Sequence, residues 1–182
     1  MIYSRKGFSI ALAATAAGAV AFAVYVIAAE KLIPSALAGD LEKADRVVVR
    51  KSERRLVLLR EGRKIAEYGI ALGGAPEGHK QKEGDERTPE GEYVIDWRNE
   101  KSGYYKSLHI SYPNEADKAR AKARGESPGG LIMIHGQKNR FGWLAPLTQR
   151  ADWTDGCIAV TNREMEEIWR SVDDGTPIVI EP

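Results

Sequence analysis

"RVVVRKSERRLVLLREGRKIAEYGIALGG", Arg46 to Gly74, places apolar runs between charged turn residues. Runs of Val, Leu and Ile, broken at Lys-Ser-Glu and Glu-Gly, predict three strands: Val47–Lys51, Arg55–Arg60 and Lys64–Leu72. The last two join at Glu61–Gly62. The pattern continues downstream. "RTPEGEYVIDWR" starts a strand after Thr88–Pro89, "SLHISYP" (Ser107–Pro113) supplies another, and "CIAV" and "TPIVIEP" are short strands near the C-terminus. "LIMIHG" (Leu131–Gly136) is a continuous apolar run and predicts a strand buried on both faces. Many short strands punctuated by Gly and Pro predict a mainly β domain, sandwich-like or a partly closed barrel, with a few helices.

Two soluble helices interrupt the strands. In "TNREMEEIWRSV", Thr161 and Glu164 have capping-box spacing, and Met165, Ile168, Trp169 and Val172 fall on one face. That face predicts core packing. "NEADKARAKARG" (Asn114–Gly125) is polar nearly all round and predicts a solvated surface helix.

The N-terminus differs from the rest. After Arg5 and Lys6 no charge occurs until Glu30, and Gly7–Ala29 is a 23-residue apolar run. At ~1.5 Å per residue a helix of that length spans roughly 30 Å of hydrocarbon. Residues 1–30 therefore read as a membrane anchor or signal segment, 31–45 as a short linker, and 46–182 as one domain. Arg5 and Lys6 predict a cytoplasmic tail and a single pass through the inner membrane, with the domain on the periplasmic side. The alternative is secretion after signal cleavage, for which "SALAG" offers a small-residue site.

Beyond residue 39, 24 Lys and Arg stand against 25 Asp and Glu, so charge gives no reason to expect nucleic acid or an anionic lipid surface as partner. Cys157, in "ADWTDGCIAV", is the single cysteine of the chain. Outside the cytoplasm cysteines usually pair, and this one has no partner within the chain. A buried packing residue, an intermolecular bridge and a nucleophile all remain open. A lone exported thiol shifts the balance to a working residue. His79, His109 and His135 are too scattered to make a zinc site with one cysteine.

A cysteine nucleophile needs a base, usually histidine. His135 ends an apolar run just before Gly136, a position suited to the rim of a cleft. His109 lies within a predicted strand and is either structural or substrate-facing. His79 lies in the polar loop "PEGHKQKEGDE" and reads as solvated.

"IHG" followed by "TDGCIAV" resembles the L,D-transpeptidase (YkuD-type) catalytic domain, whose signature is His-Gly and then Ser/Thr-x-Gly-Cys. "GIALGGAPEGHKQKEGDERTPEGEYVI" (Gly69–Ile95) and "YYKSLHISYPN" (Tyr104–Asn114) extend the resemblance over most of Val47–Ile180. It implies a β-rich sandwich-like fold and an enzyme with Cys157 as nucleophile and His135 as base. Gly136 would orient the imidazole through its carbonyl. Thr154 and Gly156 would shape the cysteine turn, with the Gly156 and Cys157 amides facing the oxyanion, while Asp155 either lies close to the sulfur or turns away to pair with Arg150 or Arg163. The implied substrates are peptidoglycan stem peptides: a tetrapeptide would form a thioester that an amine then resolves, with no metal or organic cofactor. Water could resolve the same thioester, making a carboxypeptidase or amidase, and a non-catalytic tethered wall-binding module is the reading from another class.

Two positions depart from the family signature: Asp155 stands where histidine is common, and Ala159 where a polar or basic residue is common. The segment Gln137–Trp153 reads as a roof over the cleft. Trp143, Trp153, Tyr104, His109 and Arg150 are its candidate substrate contacts, and Asp85, Arg87 and Thr88 are candidates to order a turn beside it.

Overall fold

The computed structural model describes residues 5–182; the side chains of residues 5–17, 27, 29 and 31 lie outside the description. Eight strands form one sheet in the order β3-β2-β1-β8-β4-β5-β6-β7. They are β1 (Arg46–Arg50), β2 (Arg55–Arg60), β3 (Arg63–Gly69), β4 (Gly91–Asn99), β5 (Ser107–Ile110), β6 (Met133–His135), β7 (Ile158–Ala159) and β8 (Pro177–Glu181). The turn between β2 and β3 has φ of 51° at Glu61 and 75° at Gly62. Two positive φ values in a two-residue loop match the twist of the flanking strands, which is why Glu-Gly closes this hairpin.

The sheet curls back on itself. Beyond β3 the chain bridges to the opposite edge, Ala71 against Ala159 and Gly73 against Thr154. Ala71 N–H donates to Ala159 O at 2.9 Å, and Ala159 N–H returns a bond to Ala71 O at 2.8 Å. The domain is thus a partly closed barrel built from one sheet, not two stacked sheets. Beside this closure the loop before β4 packs onto Gly73: a Cβ there would sit 2.0 Å from the Glu86 carbonyl oxygen, so only glycine admits that approach.

Alternation fills the interior. Val47 and Val49 of β1, Leu56 and Leu58 of β2, and Ile178 and Ile180 of β8 are buried in one core with Leu108, Ile134 and Ile158. Each such side chain contributes about 1.5–3 kcal/mol by leaving water. Helix α4 (Asn162–Ser171) plugs this core with Met165, Ile168 and, just beyond its end, Val172, all fully buried. Thr161 caps it and Glu164 completes the box, as the spacing predicts.

Three sequence expectations change. "LIMIHG" is extended only over Met133–His135, and Leu131 is 68% exposed at φ 55°, so this strand has one buried face and one working face. Helix α2 (Glu115–Ala123) is not solvated all round: Asp117 is buried and accepts from the Tyr93 hydroxyl at 3.0 Å. His79 is not simply solvated either, since Nδ1 accepts from Glu90 N at 2.9 Å and Nε2 meets Asp117 Oδ1 at 3.1 Å. A buried carboxylate needs such partners, and the loop histidine supplies one.

Helix α1 runs over Arg5–Leu37, so the segment expected as a linker begins as about its last two turns. Its C-terminal end is tied to the domain: Arg170 donates to Ser35 O at 2.9 Å, and Gly142 N–H donates to Glu30 Oε1 at 3.2 Å. Among the described residues no helix is long and apolar enough to cross a membrane. The expected span Gly7–Ala29 falls in good part where side chains lie outside the description.

Candidate active site

The pairing of β6 with β7 brings the histidine and the cysteine together. The two strands are parallel, with Ile134 against Ile158 and His135 against Ala159. Alternate residues share a face. Ile134 and Ile158 point into the core, so Met133, His135, Cys157 and Ala159 occupy the opposite face. Cys157, one residue before β7, is level with Met133 and diagonal to His135. Twenty-two residues of separation in the chain become one diagonal step across a sheet.

His135 is 3% exposed and its Nδ1–H donates to its neighbour's carbonyl, Gly136 O, at 2.6 Å. A carbonyl accepts only, which fixes the tautomer and leaves Nε2 as the basic nitrogen. The ring is covered by Tyr104 at 4.2 Å between centroids and by the edge of Trp153 at 5.8 Å. The thiol, by contrast, turns toward the backbone: Met133 N–H donates to Sγ at 3.4 Å, and Sγ–H donates to Leu131 O at 3.6 Å. Among the described residues no hydrogen bond joins Cys157 to His135.

Three segments hold the cysteine turn. Gly156 has φ 115°, and a Cβ there would lie 2.5 Å from Arg87 O. Thr88 Oγ1 donates to Gly156 O at 2.9 Å, Gly156 N–H donates to Thr154 Oγ1 at 3.2 Å, and Thr154 Oγ1 donates to Cys157 O at 2.7 Å. The Gly156 amide is thus bonded to Thr154 within the turn. Asp85 orders the loop before Thr88 by accepting from the amides of Gln81, Lys82 and Arg87.

Two buried lysines brace that loop, and sequence reading passed over both. Lys51 Nζ donates to Gly78 O at 2.7 Å, Thr88 O at 3.1 Å and Glu90 Oε1 at 2.7 Å, which uses all three of its protons. Lys80 Nζ pairs with Asp85 at 2.7 Å. The Met133 amide and the Leu131 carbonyl were also missed, since backbone groups leave no side-chain signal.

The electrostatics describe a neutral resting pair. Burial pushes the His135 imidazole down to about 4, against a smaller upward pull from its bond to Gly136. Burial pushes the Cys157 thiol up; the Met133 amide opposes this and the Asp155 carboxylate adds to it. Burial also raises Tyr104, so its hydroxyl stays protonated.

The remaining candidates divide. Tyr104 and Trp153 line the site. Asp155 is exposed, and among the described residues it has no hydrogen-bond or ion-pair partner, so it pairs with neither Arg150 nor Arg163. His109 lies two strands from Cys157. Trp143 does not reach the site: it is 69% exposed and borders an apolar cavity against Phe22, Tyr25 and Ile33 of α1. Arg150 is exposed beside a polar hollow lined by Arg54 and Asp152. Helix α3 (Ala145–Thr148) and a preceding 3-10 turn carry the roof segment outward, which separates Trp143 from Trp153.

A family model described as the L,D-transpeptidase catalytic domain, YkuD, matches residues 44–180. The L,D-transpeptidase-family protein YafK of Escherichia coli K12 is 32% identical over 111 residues, which are 60% of this chain and 35% of YafK. The crystal structure of the helical cell shape determining protein Pgp2 from Campylobacter jejuni superposes with a TM-score of 0.58 at 26% identity, covering 79% of this chain and 50% of Pgp2. Bd1075 from Bdellovibrio bacteriovorus gives 0.53 at 25% identity, over 77% of this chain and 48% of that one. The chain thus spans about a third to a half of these relatives.

Proposed function

Because the chain belongs to the L,D-transpeptidase (YkuD) catalytic-domain family, we propose that it is a cysteine acyltransferase acting on peptidoglycan stem peptides. The observation that carries this reading is the placement of Cys157 and His135 on one sheet face, with the imidazole fixed by Gly136 and its Nε2 left basic. Substrate entry brings the Cys157 proton to His135 Nε2. The sulfur attacks the carbonyl at the L-centre of the third stem residue, and a tetrahedral oxyanion forms. The C–N bond to the terminal D-alanine breaks as His135 returns its proton to the leaving amine. The thioester is then attacked by an acceptor amine, whose proton passes to His135, and the thiol is regenerated on release of the crosslinked peptide.

Tyr104 and Trp153 flank the reacting atoms. The Trp153 indole N–H is buried with no protein acceptor among the described residues. The Met133 amide, already directed at Sγ, favours the thiolate.

The proposal includes the place of work. Arg5 and Lys6 followed by the charge-free Gly7–Ala29 support a single inner-membrane span with the domain on the periplasmic side. A reporter fused after Pro182 is expected to be active only outside the cytoplasm. The likeness to a cell-shape protein supports a role in shaping the wall.

Purified full chain incubated with stem tetrapeptide, with and without an acceptor peptide, tests the chemistry. Crosslinked product that requires the acceptor and Cys157 is the expected result. Tripeptide release that is indifferent to the acceptor would assign hydrolysis to the same thioester.

A further inference from the structure

The working face of the sheet extends well beyond the sulfur. Cys157 is level with Met133, Met133 pairs with His109, and His109 pairs with Trp97. Residues opposite one another share a face, so the four form a single cross-strand row. Three strand spacings of ~4.8 Å place Trp97 about 14 Å from the nucleophile.

The far end of that row is built with care. Trp97 stacks on His109 with centroids 4.7 Å apart and planes 16° apart. His109 Nδ1 meets Asp96 Oδ1 at 2.6 Å, and Asp96 occupies the irregularity in the β4–β5 register between Ile95 and Trp97. Trp97 is nevertheless 38% exposed, and the Asp96 side chain is 40% exposed. The core does not use this indole; the imidazole and carboxylate hold it at the surface. A rigid flat aromatic beside a carboxylate is the chemistry that takes a pyranose: the ring's C–H face lies on the indole, and a hydroxyl or amide N–H donates to the carboxylate.

The span selects which pyranose. An extended peptide covers ~3.3–3.6 Å per residue, so the three stem residues up to the scissile carbonyl occupy about 10 Å. A further few ångströms reach the sugar that bears the stem. We propose that Trp97, His109 and Asp96 form a saccharide subsite for the N-acetylated amino sugar carrying the stem peptide. The protein thereby prefers donors still attached to glycan over free peptides. This rests on the reading of Cys157 as a stem-peptide acyltransferase.

The test is binding to the full chain carrying Cys157→Ala, by calorimetry, with a free tetrapeptide and with the same peptide on its disaccharide. The disaccharide-linked peptide is expected to bind at least about tenfold more tightly. Trp97→Ala should bring the ratio of the two affinities to about one, Trp97→Phe should keep part of it, and Asp96→Asn, at an exposed carboxylate, should reduce it. Equal affinities with Trp97 present, or a ratio unchanged in Trp97→Ala and Asp96→Asn, would overturn the subsite. Thioester formation with the Cys157 protein is read separately by mass. Its absence with both peptides defeats the underlying acyltransferase reading, whereas a thioester without glycan preference defeats only the subsite.

Discussion

Cys157 and His135 project from one face of the sheet, a diagonal apart, and yet the resting thiol bonds to the Leu131 carbonyl and the Met133 amide and not to the imidazole. With the imidazole held down near 4 and the thiol pushed up, both by burial, the pair rests neutral. Iodoacetamide should therefore alkylate the free protein slowly at pH 7 and faster as the pH rises past the ordinary thiol range. In the presence of stem peptide, His135→Ala should slow acylation by roughly 10²–10⁴-fold, the scale of a positioned general base.

Asp155 provides a second handle on the same sulfur. It is exposed and unpartnered among the described residues, and its charge adds to the burial that raises Cys157. Asp155→Asn should move the alkylation profile of Cys157 to lower pH and raise the rate at neutral pH. Its melting temperature should stay close to the parent's, since an exposed side chain without partners contributes within about 0.5 kcal/mol. A changed melting temperature with an unmoved profile would make Asp155 a structural residue.

Burial of neutral His135 also has a consequence for acid stability. Its folded value, about 4, lies below the ordinary 6.5. Between those values the unfolded chain holds a proton that the folded one does not, so stability falls as pH drops. Its contribution is complete above pH 6.5 and is lost as pH falls through about 4. Denaturant unfolding of His135→Gln and of the parent, compared across that window, should show a shallower acid decline in the variant.

Thr88 ties the loop before β4 to the cysteine turn through a buried bond to the Gly156 carbonyl. Thr88→Val keeps the shape but leaves that carbonyl unpaired, at a cost of about 1–3 kcal/mol. Acylation should slow as the turn loosens, and Thr88→Ser should recover most of both losses. A Thr88→Val protein with parental stability would show that the bond is replaceable.

Much of this molecule is legible in its chain. Strands β1, β2 and β3, the Glu61–Gly62 turn and the capped helix α4 follow from local alternation, punctuation and periodicity. Cys157 and His135 follow from a family motif and the scarcity of cysteine. What local pattern does not carry is closure: the bridges from Ala71 to Ala159 of β7 and from Gly73 to Thr154 join residues more than eighty positions apart. The bracing roles of Lys51, Lys80 and His79 arise in the same way, since each polar side chain finds its partners only after the loop has folded over. Trp143 and Arg150 lie between His135 and Cys157 in the chain, but Trp143 borders the apolar cavity against α1 and Arg150 the polar hollow of Arg54 and Asp152. The Trp97–His109 stack depends on strand register, which neither residue announces alone.

The central claim is that Cys157 carries the acyl group, and trypsin isolates it in a single peptide, Ala151–Arg163. After a brief incubation of full chain with stem tetrapeptide and an acid quench, that peptide should gain the mass of the tripeptide acyl group. The gain should be removable by hydroxylamine and absent from Cys157→Ala. An adduct on another peptide, or turnover of stem tetrapeptide by Cys157→Ala, would contradict the account.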